Sequence, residues 1–267
     1  MIEGVYMKYK GLDVTDKQYY YYKDRDENVG VIPSIAVDSI ILSVYQNELY
    51  MLMSEAYIHG VSLIGSFMKI NHTFKDSLIQ IVKEKVGLDI SKAKMIQSKV
   101  YDSPHRDDRG HILTACYIVF TDYVPVAGHR WFKVNLDRRE QAVKLSTHFN
   151  KTLLKPKRDY MITIKDDGIE TNGIDLMYSN HQGHGTMIYD AMTYLNDNLN
   201  QSGMLLNVFT DGFTYDDVYY LLKNTYQCMF SKPQIEQFIN HVARFYKNEK
   251  KTNQKYELKS FISQPIL

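Results

Sequence analysis

Three groups of residues in this chain could do chemistry. The first lies on an amphipathic segment that opens with Thr73 and Asp76 and closes at Gly87, with Phe74, Leu78, Ile81 and Val82 at helical spacing. Carboxylates three and four apart on such a helix share a face and can hold a hard cation. Here Glu84 stands in the last turn with Ile81 three residues before it and Lys85 beside it. A divalent ion beside an ammonium with one carboxylate for support is unfavourable, so no metal, Mg²⁺ included, and no other cofactor is expected. The second group is the loop Tyr101–Gly110, with Arg106, Asp107, Asp108 and Arg109. Guanidinium forks suit phosphate or carboxylate. Equally, the two arginines could pair with Asp107 and Asp108 and simply fix the shape of the loop. The third group is the C-terminal run from Ser231. It holds seven basic and three acidic residues, a local excess suited to nucleic-acid phosphates.

Other candidates are weaker. His181 and His184 could share a helix face but lack a third ligand, which suits a loop or capping role. His105 and His111 flank the arginine loop and read as hydrogen-bonding loop residues. Cys116 lies in an apolar strand pattern and reads as a buried thiol rather than a nucleophile. No Ser/His/Asp order, Walker loop or zinc spacing is present.

The bulk composition narrows the class. With 267 residues, 44% apolar and 24% charged, the chain can bury a sizeable core of about two domains. The 32 basic and 31 acidic residues leave a net charge of +1, so any nucleic-acid binding has to come from a local patch. Two cysteines, Cys116 and Cys228, fit a reduced, cytoplasmic protein. The N-terminus does not read as a signal peptide, and no apolar run is long enough to span a membrane. Tyrosine is frequent, 22 residues, with four consecutive at Tyr19–Tyr22. Composition drift accounts for that more simply than base stacking.

These groups need elements to position them. Residues 1–30 lack a period and read as an N-terminal arm. Ile35–Val44 and Leu49–Met53, split by Gln46-Asn47-Glu48, predict a β-hairpin. Met95–Asp102 and His111–Phe120 predict strands flanking the arginine loop. Arg138–Leu145 reads as a short helix. Tyr160–Ile164 and Gly168–Ile174 predict a further hairpin. The character changes near Ser179, after which helices dominate. His184–Leu199 carries one apolar stripe; Thr214 with Asp217 caps the next helix; Ser231 with Gln234 caps a third. Alternating residues near Lys255–Leu258 add a terminal hairpin, so the C-terminal part reads as a winged helix-turn-helix.

Gly65-Ser66-Phe67-Met68, the capped helix, and Glu84-Lys85-Val86-Gly87-Leu88 resemble the Nudix box of diphosphate hydrolases. The loop with Pro104, Arg106, Asp107, Arg109 and Gly110, and the run Arg130-Trp131-Phe132, resemble further pieces of ADP-ribose-type Nudix proteins. With the helical C-terminal part, residues 31–261 resemble the Nudix-related transcriptional regulators of NAD metabolism (the NrtR type). The resemblance implies an α+β protein: a Nudix-like α/β/α sandwich with a mixed sheet at 31–178, followed by a winged helix-turn-helix domain at 179–267. It implies a homodimer that binds a double-stranded DNA operator and is released by ADP-ribose, a related nucleotide or a sugar phosphate. In the box, Ser66 takes the glycine position, His72 the first glutamate, Gln80-Ile81 the arginine-glutamate pair and Glu84-Lys85 the final pair. Glu84 alone survives, so the catalytic set is not intact. An anionic effector is expected between box helix and loop, with Phe67, Glu84, Arg106, Asp107 and Arg109 as its ligand-binding residues. Lys232, Gln234, Gln237, Arg244, Lys250, Lys251 and Lys255 are the expected DNA-binding residues, from recognition helix and wing. Two rival readings are an active Nudix hydrolase with an auxiliary helical domain and a scaffold that has lost both ligands.

Overall fold

A computed structural model of the chain describes residues 6–9, 12–15, 33–56, 60–107, 110–148, 159–178, 181–226 and 231–242. The chain divides into compact units at 1–34 and 35–267. In the first, β1 (Tyr6–Tyr9) and β2 (Leu12–Thr15) pair antiparallel, Tyr6 opposite Thr15. The segment expected as an unpatterned arm thus contains a hairpin.

The second unit is a sheet with helices on both faces. Its strands are β3 (Ser34–Tyr45), β4 (Glu48–Ala56), β5 (Gly60–Ser62), β6 (Ile64–Phe67), β7 (Lys94–Tyr101), β8 (Ile112–Phe120), β9 (His129–Asp137), β10 (Ala142–His148), β11 (Asp159–Lys165), β12 (Gly168–Asn172) and β13 (Asp175–Leu176). The main path runs β12-β11-β10-β9-β4-β3-β8-β7; β5 joins β4, and β6 joins β3. β13 pairs parallel with β5 while β4, β9, β10, β11 and β12 pair antiparallel in turn, so the sheet is mixed. The β3–β4 turn places Gln46 and Asn47 at φ 50° and 59°, the left-handed pair that a two-residue hairpin demands.

Strand alternation sorts side chains onto two faces. Val37 and Ile41 of β3, Leu52 of β4, Ala115, Tyr117 and Val119 of β8 and Trp131 of β9 pack with Leu78, Ile81, Val82 and Val86 of α1 (Phe74–Val86). Thr73 caps α1 by accepting from Asp76 N at 3.1 Å, and Gly87 ends it at φ 74°. The opposite face carries Ile40, Leu42, Leu49, Met51, Met53, Cys116, Ile118, Phe120, Phe132 and Val134. It is covered by α2 (His184–Asp197) and α4 (Tyr215–Tyr226); α3 (Leu199–Ser202), a 3₁₀ turn (Met204–Val208) and α5 (Lys232–Val242) join the same core, α5 packing on α3 and α4, with Met187, Ile188, Leu195, Leu205, Val218, Leu221 and Ile235 among its side chains. Helices on both sides explain why β3 and β8 read as near-continuous apolar runs. The helices after 178 share this core with the sheet.

Two reciprocal caps hold the C-terminal helices. Thr214 Oγ1 accepts from Asp217 N at 3.2 Å while Asp217 Oδ2 accepts from Thr214 N at 2.7 Å. Gln234 Oε1 accepts from Ser231 N at 2.8 Å. The short helix expected at Arg138–Leu145 is absent. Residues 138–141 form a turn and β10 begins at Ala142. Asp137 Oδ1 accepts from the backbone of Arg139 and Glu140 at 3.0 and 3.1 Å, and Gln141 sits at φ 49°, which breaks the helical path. No helix among the described residues is long and apolar enough to cross a membrane. The expected wing at Lys247–Leu258, with Arg244, Lys250, Lys251 and Lys255, lies outside the described residues, as do Arg109, Asp108 and Cys228.

Candidate functional site

The site grows from the start of β3. Asp38 interrupts an apolar strand and faces the C-terminal helices, with Thr114 of β8 donating to its Oδ2 at 2.7 Å. Asp38 lies opposite Gly65 of β6. A Cβ at 65 would come within 1.9 Å of the Asp38 carboxylate, so this position has to be glycine. Arg106, 3% exposed, reaches the same carboxylate at 3.9 Å. His184, the first residue of α2, places Nε2 3.8 Å from Asp38 Oδ1. Its Nδ1 accepts from Leu63 N at 3.2 Å, which assigns the ring proton to Nε2 in the neutral form and points it at the carboxylate. Tyr178 packs edge-on against the His184 ring, centroids 5.3 Å apart.

Asp38, Gly65, Arg106, Tyr178 and His184 line a cavity of about 250 Å³ together with Ser54, Ser62, Ser66, Phe67, Lys85 and Asp107. Asp38, Ser62, Arg106, Asp107 and His184 are its buried polar lining; Phe67, 46% exposed, and Lys85 form its rim. Buried polar groups in this density need partners, and Arg106 shows where they go. Its Nε donates to Gln182 O and its Nη1 to Ile112 O, both at 3.2 Å. Gln182 Oε1 in turn accepts from the backbone of Asp102 and Ser103 at 3.1 and 2.9 Å. The arginine loop is therefore bolted to the segment that starts α2. The side-chain partners of Arg106 among the described residues are Gln182, Ile112 and Asp38 rather than the Asp107 of the loop itself, and Arg106 also lines the cavity.

The box helix is organised differently from a metal site. Ile81 is 1% exposed and belongs to the core between α1 and the sheet. Glu84 is not part of the cavity lining: Lys69 donates to it at 2.9 Å and Gln80 at 2.6 Å, and these bonds hold its carboxyl below the usual range. Lys85 Nζ donates to the carbonyl of Gly65. His72 Nδ1 lies 2.9 Å from Ile70 O. Among the described residues no three His, Cys, Asp or Glu side chains gather to hold a metal. The side chains present therefore do not fit the divalent ion that a Nudix box implies.

Of the expected ligand-binding residues, the structure brings Phe67, Arg106 and Asp107 to the cavity and leaves Glu84 outside it. Asp38, Thr114 and His184 were not singled out as site residues. The signal for Asp38 was there, a lone acid inside the apolar run 35–44. His184, spaced with His181 in the sequence, reads there as a loop or capping residue, because its partners here come from β3 and the β5–β6 segment. Cys116 is fully buried, and burial pushes its thiol pKa up. On α5, Ile235, Ile239 and Val242 point inward, while Lys232, Gln234, Glu236, Gln237, Asn240 and His241 are exposed. Gln234 and Gln237 border a surface pocket with Phe238, His241, Leu199 and Leu222.

No protein-family model matches the chain. It is 32% identical over 87 residues to an ADP-ribose pyrophosphatase of Methanocaldococcus jannaschii, a match over 33% of this chain and 50% of that protein. The chain thus spans about half the length of this curated relative. Among solved structures, a MutT/nudix family protein from Enterococcus faecalis superposes with a TM-score of 0.70 at 19% identity, over 92% of this chain and 94% of that one. NrtR from Shewanella oneidensis superposes with a TM-score of 0.56 at 15% identity, over 84% of this chain and 94% of that one. The same protein complexed with a 27mer DNA gives 0.56 at 14% identity, over 84% and 93%. The fold is Nudix-related.

Proposed function

We propose that the chain is a ligand-responsive, DNA-binding transcriptional regulator whose Nudix-like part senses a nucleotide or sugar phosphate and no longer hydrolyses it. The observation that carries this reading is a dissociation within one site. The cavity keeps its buried polar lining, whereas the box helix has Ile81 in the core, Glu84 tied to Lys69 and Lys85 tied to Gly65. A hydrolase needs both halves; a sensor needs the cavity.

The DNA half of the reading draws support from the fold likeness to a protein crystallised with a 27mer DNA. The basic excess after Ser231 supports it as well. In this reading α5 is the recognition helix. Gln234 is committed to its cap at Ser231, so Gln237 and Lys232 read base edges near the leading end. Arg244, Lys250, Lys251 and Lys255 contact phosphates. Two copies related by a two-fold axis double the patch and set the half-site spacing.

Two assays on the full chain test the reading. Incubation with ADP-ribose and Mg²⁺ is expected to release no AMP, and a gel shift on DNA from its own promoter region is expected to show a complex that ADP-ribose weakens. AMP release that disappears in Glu84→Gln would establish the hydrolase instead. Failure to bind any duplex at low salt would leave a scaffold.

A further inference from the structure

The start of α2 is made differently from the starts of the helices around it. α1, α4 and α5 follow Thr73, Thr214 and Ser231, whose hydroxyls cap them. α2 follows Gly183, which has no side chain to accept from the first-turn N–H groups. Tertiary bonds hold this start instead. His184 N donates to Tyr178 O at 2.7 Å, and His184 Nδ1 accepts from Leu63 N. One residue before the cap, Gln182 sits in the left-handed region at φ 58°, unfavourable for a residue with a Cβ and kept only by the bonds it makes. Those bonds run to the arginine loop. Gln182 Oε1 accepts from Asp102 N and Ser103 N, and Gln182 O accepts from Arg106 Nε. Arg106 N donates in turn to Ser103 O at 3.2 Å, so the loop is tied within itself. Gln182 is not part of the cavity lining, whereas Arg106 is, and faces Asp38 at 3.9 Å. A cavity group and the start of an uncapped helix thus meet at one residue that touches no ligand itself.

We propose that Gln182 is the positioning residue that couples the cavity to α2: a ligand that fixes Arg106 and its loop fixes, through the Gln182 side chain, the start of the helix. This rests on reading the cavity as a sensor site and adds the route by which occupancy leaves it. The rival route is direct. His184 lines the cavity and also opens α2, so a ligand touching it would reach the helix without Gln182. Coupling between the two places, not their proximity, decides between these routes.

Hydrogen exchange resolved to single amides, on the full chain with and without saturating ADP-ribose, separates them. In the parent, ADP-ribose is expected to slow exchange at Asp102 and Ser103. It is also expected to slow exchange by about fivefold or more at His184 and Met187, whose N–H groups bond to Tyr178 O and Gly183 O. Gln182→Met keeps the length of the side chain without its acceptor and should lose most of the response at His184 and Met187. Gln182→Glu, whose carboxylate accepts the same two N–H groups, should restore it. A purely structural Gln182 would lower the melting temperature of Gln182→Met and leave the α2 response in place. Should Gln182→Met fail to melt cooperatively, Gln182→Gly drops the same acceptor while relieving the left-handed backbone, and the same loss is expected of it. A variant lacking the acceptor whose α2 responds as strongly as the parent's assigns the coupling to His184 and overturns the inference. So does ADP-ribose that binds the parent in calorimetry without changing exchange in α2. Both results leave the cavity standing as a ligand site. No ADP-ribose binding to the parent removes the sensor reading and this inference together.

Discussion

Ile81 shows how a single position decides what the box helix can do. Its side chain lies between α1 and the sheet, 1% exposed, among Leu78, Val82, Ala115 and Val119. A carboxylate placed there would lose its water and meet no cation, and burying an unpaired charge is severely unfavourable. Reversion at this position therefore rebuilds no metal site. Ile81→Ala is expected to cost about 2–5 kcal/mol, the range for emptying a well-packed aliphatic site. Ile81→Glu is expected to cost at least as much and to release no AMP from ADP-ribose in Mg²⁺. Urea titration of both variants beside the parent measures the first effect and an AMP assay the second; an Ile81→Glu variant as stable as the parent would mean that the position can open to water. At this scale the sequence was partly legible. Phe67, Arg106 and Asp107 were expected at the site and line the cavity, because the loop and box residues carry a family pattern. Asp38 was missed and His184 was read as a loop or capping residue, because their roles arise only when β3, the β5–β6 segment and the first turn of α2 come together.

Elements with strong local chemistry were legible, and those shaped by a neighbour were not. Thr73 with Asp76, Thr214 with Asp217 and Ser231 with Gln234 mark helix starts that the structure reproduces as hydrogen bonds. Arg138-Arg139-Glu140-Gln141 misleads because all four are good helix formers. What overrides them is Asp137, whose carboxylate takes two turn N–H groups and the ammonium of Lys144 at 2.9 Å. The Lys144 bond, then the turn N–H groups, hold the Asp137 carboxyl below its usual range. A depressed acid stabilises the fold at pH above its unfolded value and ceases to do so as pH falls through its folded value. The thermal stability of the parent over Asp137→Asn should therefore be greatest at neutral pH and shrink through the acid range; a difference that stays constant with pH would exclude this linkage. The β3–β4 turn offers a test in the stabilising direction. Gln46 occupies left-handed space at φ 50°, where its Cβ crowds the following carbonyl oxygen. Removing the Cβ relieves about 1–2 kcal/mol of left-handed strain against about 0.4–1 kcal/mol of added unfolded-chain entropy, so Gln46→Gly is expected to raise stability slightly, read as a shift in the urea midpoint, and a destabilised variant would show that the Gln46 side chain matters more than its backbone.

On the scale of the whole molecule, a change of character at Ser179 does not separate the helices that follow from the sheet before it. Leu49, Met51, Phe132 and Leu145 of the sheet and Ile188, Leu195, Leu205, Val218 and Leu221 of the C-terminal helices belong to one continuous core. Asn224 of α4 reinforces the junction by donating to Asn47 O at 3.0 Å and accepting from Asn135 at 2.7 Å, and Asp190 of α2 accepts from Lys99 and Tyr101 at 3.0 and 3.1 Å. The composition shift near 179 was real in the sequence, but patterning records which residues are apolar and not what they are packed against. This has a consequence for the proposed sensor. The cavity loop is tied through Arg106 and Gln182 to the start of α2, so a ligand that moves the loop acts on a helix that is itself part of the shared core. A fragment ending at residue 178 would leave the helix-facing side of the sheet open to water, an apolar area far larger than a monomer tolerates. It would also lose His184 from the cavity. Such a fragment is expected to aggregate or bind a hydrophobic dye, and to lack a cooperative thermal transition, whereas the full chain melts cooperatively. Co-expression of residues 179–267 as a separate chain should restore solubility if the shared core is the cause. A soluble, cooperatively melting 1–178 fragment would show instead that the Nudix-like part closes its own core and that the C-terminal helices are a separable module.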